Sequence, residues 1–224
     1  MIERKKMERL KRFKWALLIY VLALVGILYF ATMVDAETVV PTHWNVYGEV
    51  DGTMSKNAAL YMMIGMLSGI FLLMYLMPQY SPWYAKHRER MERLLPLLTA
   101  ILCFCLGFIG VYSFYLAGMG SLKTPVSMIT VVIGAIFILL GNLLPKVPKN
   151  FFVGIRTPWT LVNDKIWTKT HRLGGGLFVL SGILMVVKSF IMPELRLFHQ
   201  ISGVMIMALL LYPLLHSFIL YKRS

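Results

Sequence analysis

Residues 94–119 read LLPLLTAILCFCLGFIGVYSFYLAGM, without one charged side chain. A bilayer core about 30 Å thick takes about 20 mostly apolar residues per helix, so this stretch is long enough to cross it. Five further runs of the same kind lie around it: roughly Trp15–Val34, Ala58–Met77, Val126–Leu144, Leu173–Met192 and Phe198–Tyr221. The whole chain of 224 residues is 58% hydrophobic and 15% charged. A soluble domain is near half apolar and about a quarter charged. Water-soluble, disordered and disulfide-stapled classes are thereby disfavoured. The expected fold class is all-α, a polytopic membrane protein with six transmembrane helices.

The first run follows a basic region and invites comparison with a signal peptide. It is about 20 residues long, and Thr32-Met33-Val34-Asp35 is a poor cleavage site, so it is expected to stay as a membrane anchor. The longest polar stretches, Asp35 to Asn57 and Pro145 to Arg172, leave no room for a separate soluble domain.

The net charge of +13 is unevenly spread. In a six-span topology, 19 Lys and Arg fall on one side, in segments 4–14, 86–93, 146–172 and 222–223. The other side holds only Lys56, Lys123, Lys188 and Arg196. The positive-inside rule then puts both termini in the cytoplasm. Asp35, Glu37, Glu49, Asp51 and Glu194 make the outer face net acidic, so a cationic peptide arriving there is not repelled. Because the basic residues sit beside spans in four separate segments, anionic lipid headgroups account for them, and no direct nucleic-acid partner is expected.

The spans carry almost no ionisable groups, whereas ion-coupled transporters and channels usually place them at mid-depth. Lys188 and His216 lie near helix ends; Lys188 is expected to snorkel to the interface. Asn142 is expected to make an interhelical hydrogen bond, and Gly65 and Gly69 form a small-xxx-small pair that permits close helix approach. Cys103 and Cys105 point about 200° apart on a helix and are expected to be unbridged packing residues. His43 and His199, with Glu194 or Glu49, match no metal-ligand spacing, so neither a metal nor a cofactor is expected. No nucleophile with a base, no HExxH and no phosphate-cradling loop appears, so the chain is not expected to be an enzyme.

Two loops remain. The outer one, residues 40–52, contains Pro41, His43, Trp44, Asn45, Gly48 and Asp51. Gly48 and Gly52 are expected at turns on either side of a short strand-like segment, giving an ordered cap or a ligand-contacting loop. The inner one reads KNFFVGIRTPWTLVND over residues 149–164. Thr157 is expected to be extended ahead of Pro158, and Asn163 to cap a helix starting at Asp164. Ile166, Trp167, Thr170 and Leu173 then follow helical spacing, predicting an amphipathic helix that feeds the fifth span through Gly174-Gly175-Gly176. Arg156 is expected to pair with Asp164 or to cap carbonyls of a helix end.

The string Gly154-Ile155-Arg156-Thr157-Pro158-Trp159-Thr160, with Trp167, Arg172 and the upstream Gly141-Asn142, resembles the signature of the SdpI family of bacterial toxin-immunity membrane proteins. Pro41-Thr42-His43-Trp44-Asn45 and Gly48-Glu49-Val50-Asp51-Gly52 resemble an uncharacterised membrane domain common at the N-terminal end of that family. The resemblance implies an N-terminal membrane region at 1–93, with two spans and the outer loop, and an SdpI-like four-span region at 94–224. It also implies a multi-pass protein of the bacterial cytoplasmic membrane that protects against a peptide toxin met on the outer face. One member is described as a signal receptor that also holds a cytoplasmic repressor at the membrane, alongside the lipids every member contacts. The implied functional loop is Arg156, Thr157, Pro158, Trp159, Thr160, Asp164, Trp167 and Arg172, with Asn142.

Two other classes compete with an immunity protein. A transporter of peptide, lipid or small molecule needs a hydrophilic path through the bundle. An enzyme needs clustered polar groups at one membrane face, for which Asn142, Arg156, Asp164 and His171 are the only candidates.

Overall fold

A computed structural model of the chain describes residues 2–80, 84, 86–120, 128–191 and 194–223. Lys123, Val126 and Met192, used above for orientation and run boundaries, lie outside them. The elements in chain order are α1 (Ile2–Thr32), β1 (Val39–Trp44), β2 (Val50–Ser55), α2 (Lys56–Tyr80), α3 (Arg88–Gly118), α4 (Met128–Leu143), the short α5 (Pro158–Val162), α6 (Asp164–Lys188) and α7 (Arg196–Lys222). Among the described residues six helices, all but α5, are long and apolar enough to cross a membrane. A helix satisfies its own backbone groups, which is what hydrocarbon requires of a spanning segment. The basic leader is part of α1, which begins at Ile2 and runs on into the first apolar run.

The 40–52 stretch is a hairpin. β1 and β2 pair antiparallel from Val39 opposite Ser55 to Trp44 opposite Val50, with irregular register around His43. Gly48 takes φ +82 in the turn, as a residue without a Cβ can. Gly52 is not a turn residue. It lies within β2 opposite His43, where a Cβ would come 2.9 Å from the His43 Cβ.

The chain forms two compact units. The first comprises residues 1–45, 49–80 and 95–125. In it Tyr20 stacks on Phe71 with centroids 4.7 Å apart, and its hydroxyl lies 3.0 Å from the Ser68 hydroxyl, tying α1 to α2. Glycines bring α1 and α3 together: a Cβ at Gly26 would meet Val111 at 2.8 Å, and one at Gly110 would meet Ile27 at 2.7 Å. Nothing lies within 4 Å of a Cβ built at Gly65 or Gly69, so the pair expected to permit close approach does not mark a contact. Cys103 is buried and Cys105 half-buried, both free.

The second unit comprises residues 46–48, 81–94 and 126–224. Its α4 and α6 run against each other along four glycines. A Cβ at Gly134 would stand 2.7 Å from the Gly182 carbonyl oxygen, and one at Gly141 2.7 Å from that of Gly175. Gly134 and Gly141 are seven residues apart, as are Gly175 and Gly182, and the pairs run in opposite senses, which is antiparallel packing with one contact per heptad. The triple glycine at 174–176 is therefore interior to a single helix, rather than a joint between an amphipathic helix and a span. Lys188 is buried, and its Nζ reaches the hairpin turn, donating to the Val46 carbonyl oxygen at 3.0 Å.

Candidate functional site

The segment between α4 and α6 begins with a single 3₁₀ turn at Leu144–Lys146 and then leaves regular structure until Pro158. A loop of this length at a membrane face has to dispose of its backbone polar groups, and buried side chains do much of that here. Asn150 is fully buried. Its Nδ2 donates to the carbonyls of Pro148 (2.9 Å) and Val153 (3.0 Å), while Oδ1 accepts from the N–H groups of Phe152 (2.7 Å) and Val153 (2.8 Å). Two donors and two lone pairs exhaust what one amide offers, so Asn150 fixes the whole 148–153 turn.

Two buried rings of α6 hold the turn at both ends. The Trp167 indole N–H donates to the Val147 carbonyl at 3.0 Å. One turn on, His171 Nε2 lies 3.0 Å from the Ile155 backbone N–H, which donates to it, and Nδ1 lies 2.9 Å from the Trp167 carbonyl. These partners define the ring: Nδ1 carries the proton, Nε2 is an acceptor, and the imidazole is neutral. The two rings stack at 3.9 Å between centroids and 19° between planes. Gly154, at φ +118, passes so close that a Cβ there would fall on His171 Nε2 and crowd Trp167.

The chain then turns into α5. Thr157 is extended (φ −104, ψ 160), as expected ahead of Pro158, and forms a reciprocal capping box with Thr160. The buried Thr160 hydroxyl also reaches the Ile155 carbonyl at 3.0 Å. Ser217 of α7 receives this corner: its Oγ lies 3.2 Å from the Thr157 hydroxyl and accepts from the Trp159 indole N–H at 2.5 Å. The Trp159 ring rests on Phe218 and Tyr221, with centroids 5.1 and 6.0 Å away. Asn163 ends α5 and caps α6, its Oδ1 accepting from the N–H groups of Lys165 and Ile166, as expected.

Arg156, Thr157, Pro158, Trp159, Thr160 and Trp167 thus form one hydrogen-bonded clasp. Arg156 itself is exposed and donates from Nη1 to the Phe151 carbonyl at 2.6 Å. It does not pair with Asp164, whose carboxylate meets Lys149. The guanidinium's nearest acceptor is the loop backbone, and Lys149 reaches the acid first. Arg172 stands exposed on α6. Asn142 belongs elsewhere: its Nδ2 donates to the Ile138 carbonyl at 2.9 Å within α4, an i−4 bond replacing the expected interhelical one. Asn150, His171 and Ser217 complete the clasp from outside the motif string that Gly154 heads; an Asn two residues after a proline is a turn signal for the first of them.

Beside the clasp is a cavity of about 220 Å³, lined by His87, Arg90, Lys149, Asp164, Trp167 and His171 among others. Of the four residues considered for catalysis, only Asp164 and His171 reach it. His87 is held below its ordinary pKa, first by burial and then by Lys86 and Arg90, with Asp164 opposing.

Of the hairpin residues, His43 Nδ1 sits 2.5 Å from Asp51 Oδ1, and Asn45 and Glu49 bond to each other through side chain and backbone. Pro41 is buried in β1, and Trp44 closes the strand opposite Val50. His199 is buried on α7, its ring 6.4 Å from that of Tyr47. Among the described residues no group of three or more His, Cys, Asp or Glu is placed to hold a metal ion.

The fold and the clasp together define a multi-pass helical membrane protein with a hydrogen-bonded loop pinned to two of its spans. Residues 146–221 match the SdpI/YfhL protein family, and residues 17–67 match a domain of unknown function, DUF1648, so the resemblance read from the motifs is borne out in both parts. The clasp, from Val147 to Ser217, lies within the first match; Asn142 lies outside it. The immunity protein SdpI of Bacillus subtilis (strain 168) is 30% identical over 91 residues, which is 41% of this chain and 43% of that protein. The aligned segment therefore spans less than half of that relative. No solved structure matches the chain.

Proposed function

We propose that the chain is a non-enzymatic membrane immunity protein giving resistance to a peptide toxin, with the SdpI-like region around the clasp as its protective part. The observation that carries this reading is a coincidence of boundaries: the 146–221 family match covers the clasp, and the similar Bacillus protein is an immunity protein. In the orientation set by the basic residues, the clasp faces the cytoplasm and the hairpin faces outward. The net acidic outer face then admits a cationic peptide to the span mouths, while the clasp stabilises or reports the occupied state. A receptor role, in which a cytoplasmic repressor is held at the membrane, is the finer form of the same reading.

Expression in a toxin-sensitive bacterium, with survival measured against a panel of membrane-active peptides, tests the proposal. At least one peptide should become less lethal, and Arg156→Ala, inserted at normal levels, should lose that protection. Unchanged survival against every peptide, with the chain present in the membrane, removes the immunity reading. Full protection by Arg156→Ala removes the clasp from it. The receptor form further requires a repressor that sediments with membranes only when toxin is present. Single cysteines at Asp51 and Lys149, in a chain without Cys103 and Cys105, should react with an impermeant maleimide on whole cells only at position 51; the reverse pattern inverts the topology.

A further inference from the structure

Nothing in the immunity reading uses the cavity beside the clasp. Its walls are chemically uneven. Trp167 and two prolines, Pro145 and Pro148, supply apolar lining. The polar lining includes Arg90, Lys149, His87 and Thr168, with Asp164 its one carboxylate. Lys149 is neutralised by Asp164, whereas Arg90 makes no ion pair among the described residues. Lys86 adds further positive charge at His87, so the interior faces more cations than its single acid balances. Burial and these cations hold the His87 imidazole below its ordinary pKa, and an anion entering beside it opposes them. Small-molecule pockets usually run about 300–1,000 Å³, so a cavity of about 220 Å³ admits a headgroup-sized anion and not a nucleotide.

We propose that this cavity binds a phosphate group, presented either by an anionic phospholipid headgroup or by a small free phosphate ester, through Arg90, His87 and Lys149. A guanidinium suits the oxygens of a phosphate with paired donors, and an imidazole and an ammonium complete the shell. Basic pockets beside spans on the cytoplasmic side are where anionic headgroups bind, and the positive-inside orientation places this one there. Occupancy has a structural consequence. Val147, Pro148 and Lys149 wall the cavity and also form the first leg of the clasp, while Trp167 and His171 belong to both. A phosphate drawing Lys149 away from Asp164 therefore bears directly on the loop's seating.

The full chain in nanodiscs separates the two sources. In phosphatidylcholine alone, glycerol 3-phosphate is titrated by calorimetry; saturable binding supports the free-ester form. In mixed phosphatidylcholine and phosphatidylglycerol, native mass spectrometry counts retained lipid, and enrichment of phosphatidylglycerol supports the headgroup form. In whichever arm is positive, Arg90→Gln should weaken binding about tenfold, and Arg90→Gln with Lys149→Gln further, while Lys169→Gln on the exposed face of α6 changes it less than about twofold. Circular dichroism and protease resistance equal to wild type establish that the variants are folded. Absence of specific binding in both arms, or equal weakening by Lys169→Gln, overturns the proposal, the second because it reports only diffuse attraction to a basic surface.

Discussion

The 39–55 hairpin and the 147–163 loop both connect spans and both fix their shape with polar side chains, yet they do so in opposite surroundings. In the hairpin the His43 and Asp51 side chains are 71% and 42% exposed, so each has water as an alternative partner. In the loop Asn150 and Thr160 have no exposure, His171 has 1% and Trp167 3%. A hydrogen bond lost to water costs little, whereas a buried donor or acceptor left unpaired costs about 1–3 kcal/mol. Equal bond counts therefore predict unequal sensitivity to mutation. The clasp behaves as core, and the hairpin as surface.

The largest effect should come from Gly154→Ala. The left-handed φ of +118 is strained for any residue with a Cβ, and that Cβ lands on the His171 ring. Strain and overpacking each cost about 1–3 kcal/mol, so a loss of about 3 kcal/mol is expected in thermal unfolding of the purified protein. A wild-type melting curve would show that the loop is free to reseat and is not core-like. Asn150→Ala comes next. It strips partners from two N–H groups and two carbonyls of the 148–153 turn, and about 2–3 kcal/mol should be lost, with new protease cleavage between 148 and 155. Cleavage elsewhere, with this segment still protected, would deny Asn150 its place at the centre of the turn.

How much of this was legible in the sequence depends on what each feature needed. Six spans follow from run length alone, since the bilayer leaves a chain few other choices. The cap at Asn163 and the extended Thr157 are local effects of neighbouring residues, and the sequence states them. Helix contacts are another matter. Gly65 and Gly69 share one helix and the familiar four-residue spacing, yet face open space. The seam in the second unit needs two helices read together, Gly134 and Gly141 against Gly182 and Gly175, and a seven-residue step in each. Likewise the motif gave the Arg-Thr-Pro-Trp-Thr string but not its partners, because Ser217 lies 60 residues from Thr157 and nothing local marks it. The Arg156–Asp164 pair failed for the converse reason: opposite charges eight residues apart look paired until Lys149 is seen to be closer.

A middle-sized effect tests whether the distant partner matters. Ser217→Ala removes the acceptor of the Trp159 N–H and the neighbour of the Thr157 hydroxyl, while Trp159 keeps its contact with Phe218 and Tyr221. About 1–2 kcal/mol should be lost, and Trp159→Phe in the same background should add little, because the bond it removes is already gone. Full additivity in that double-mutant cycle would mean that the indole and the hydroxyl contribute independently, and the clasp would then reach α7 by ring packing alone.

The smallest effect belongs to the hairpin. His43→Ala and Asp51→Ala each break a short contact, but both partners return to water, and exposed ion pairs contribute about 0–1 kcal/mol. The strand pairing beneath them, from Val39 opposite Ser55 to Trp44 opposite Val50, needs neither side chain. Each variant should unfold within about 0.5 kcal/mol of wild type, and the double variant should match the sum, with a coupling too small to resolve. A coupling above about 1 kcal/mol would place the His43–Asp51 pair in a drier setting than its exposure implies. The contrast with Asn150 would then rest on the number of bonds lost and not on burial, so this measurement decides between the two explanations.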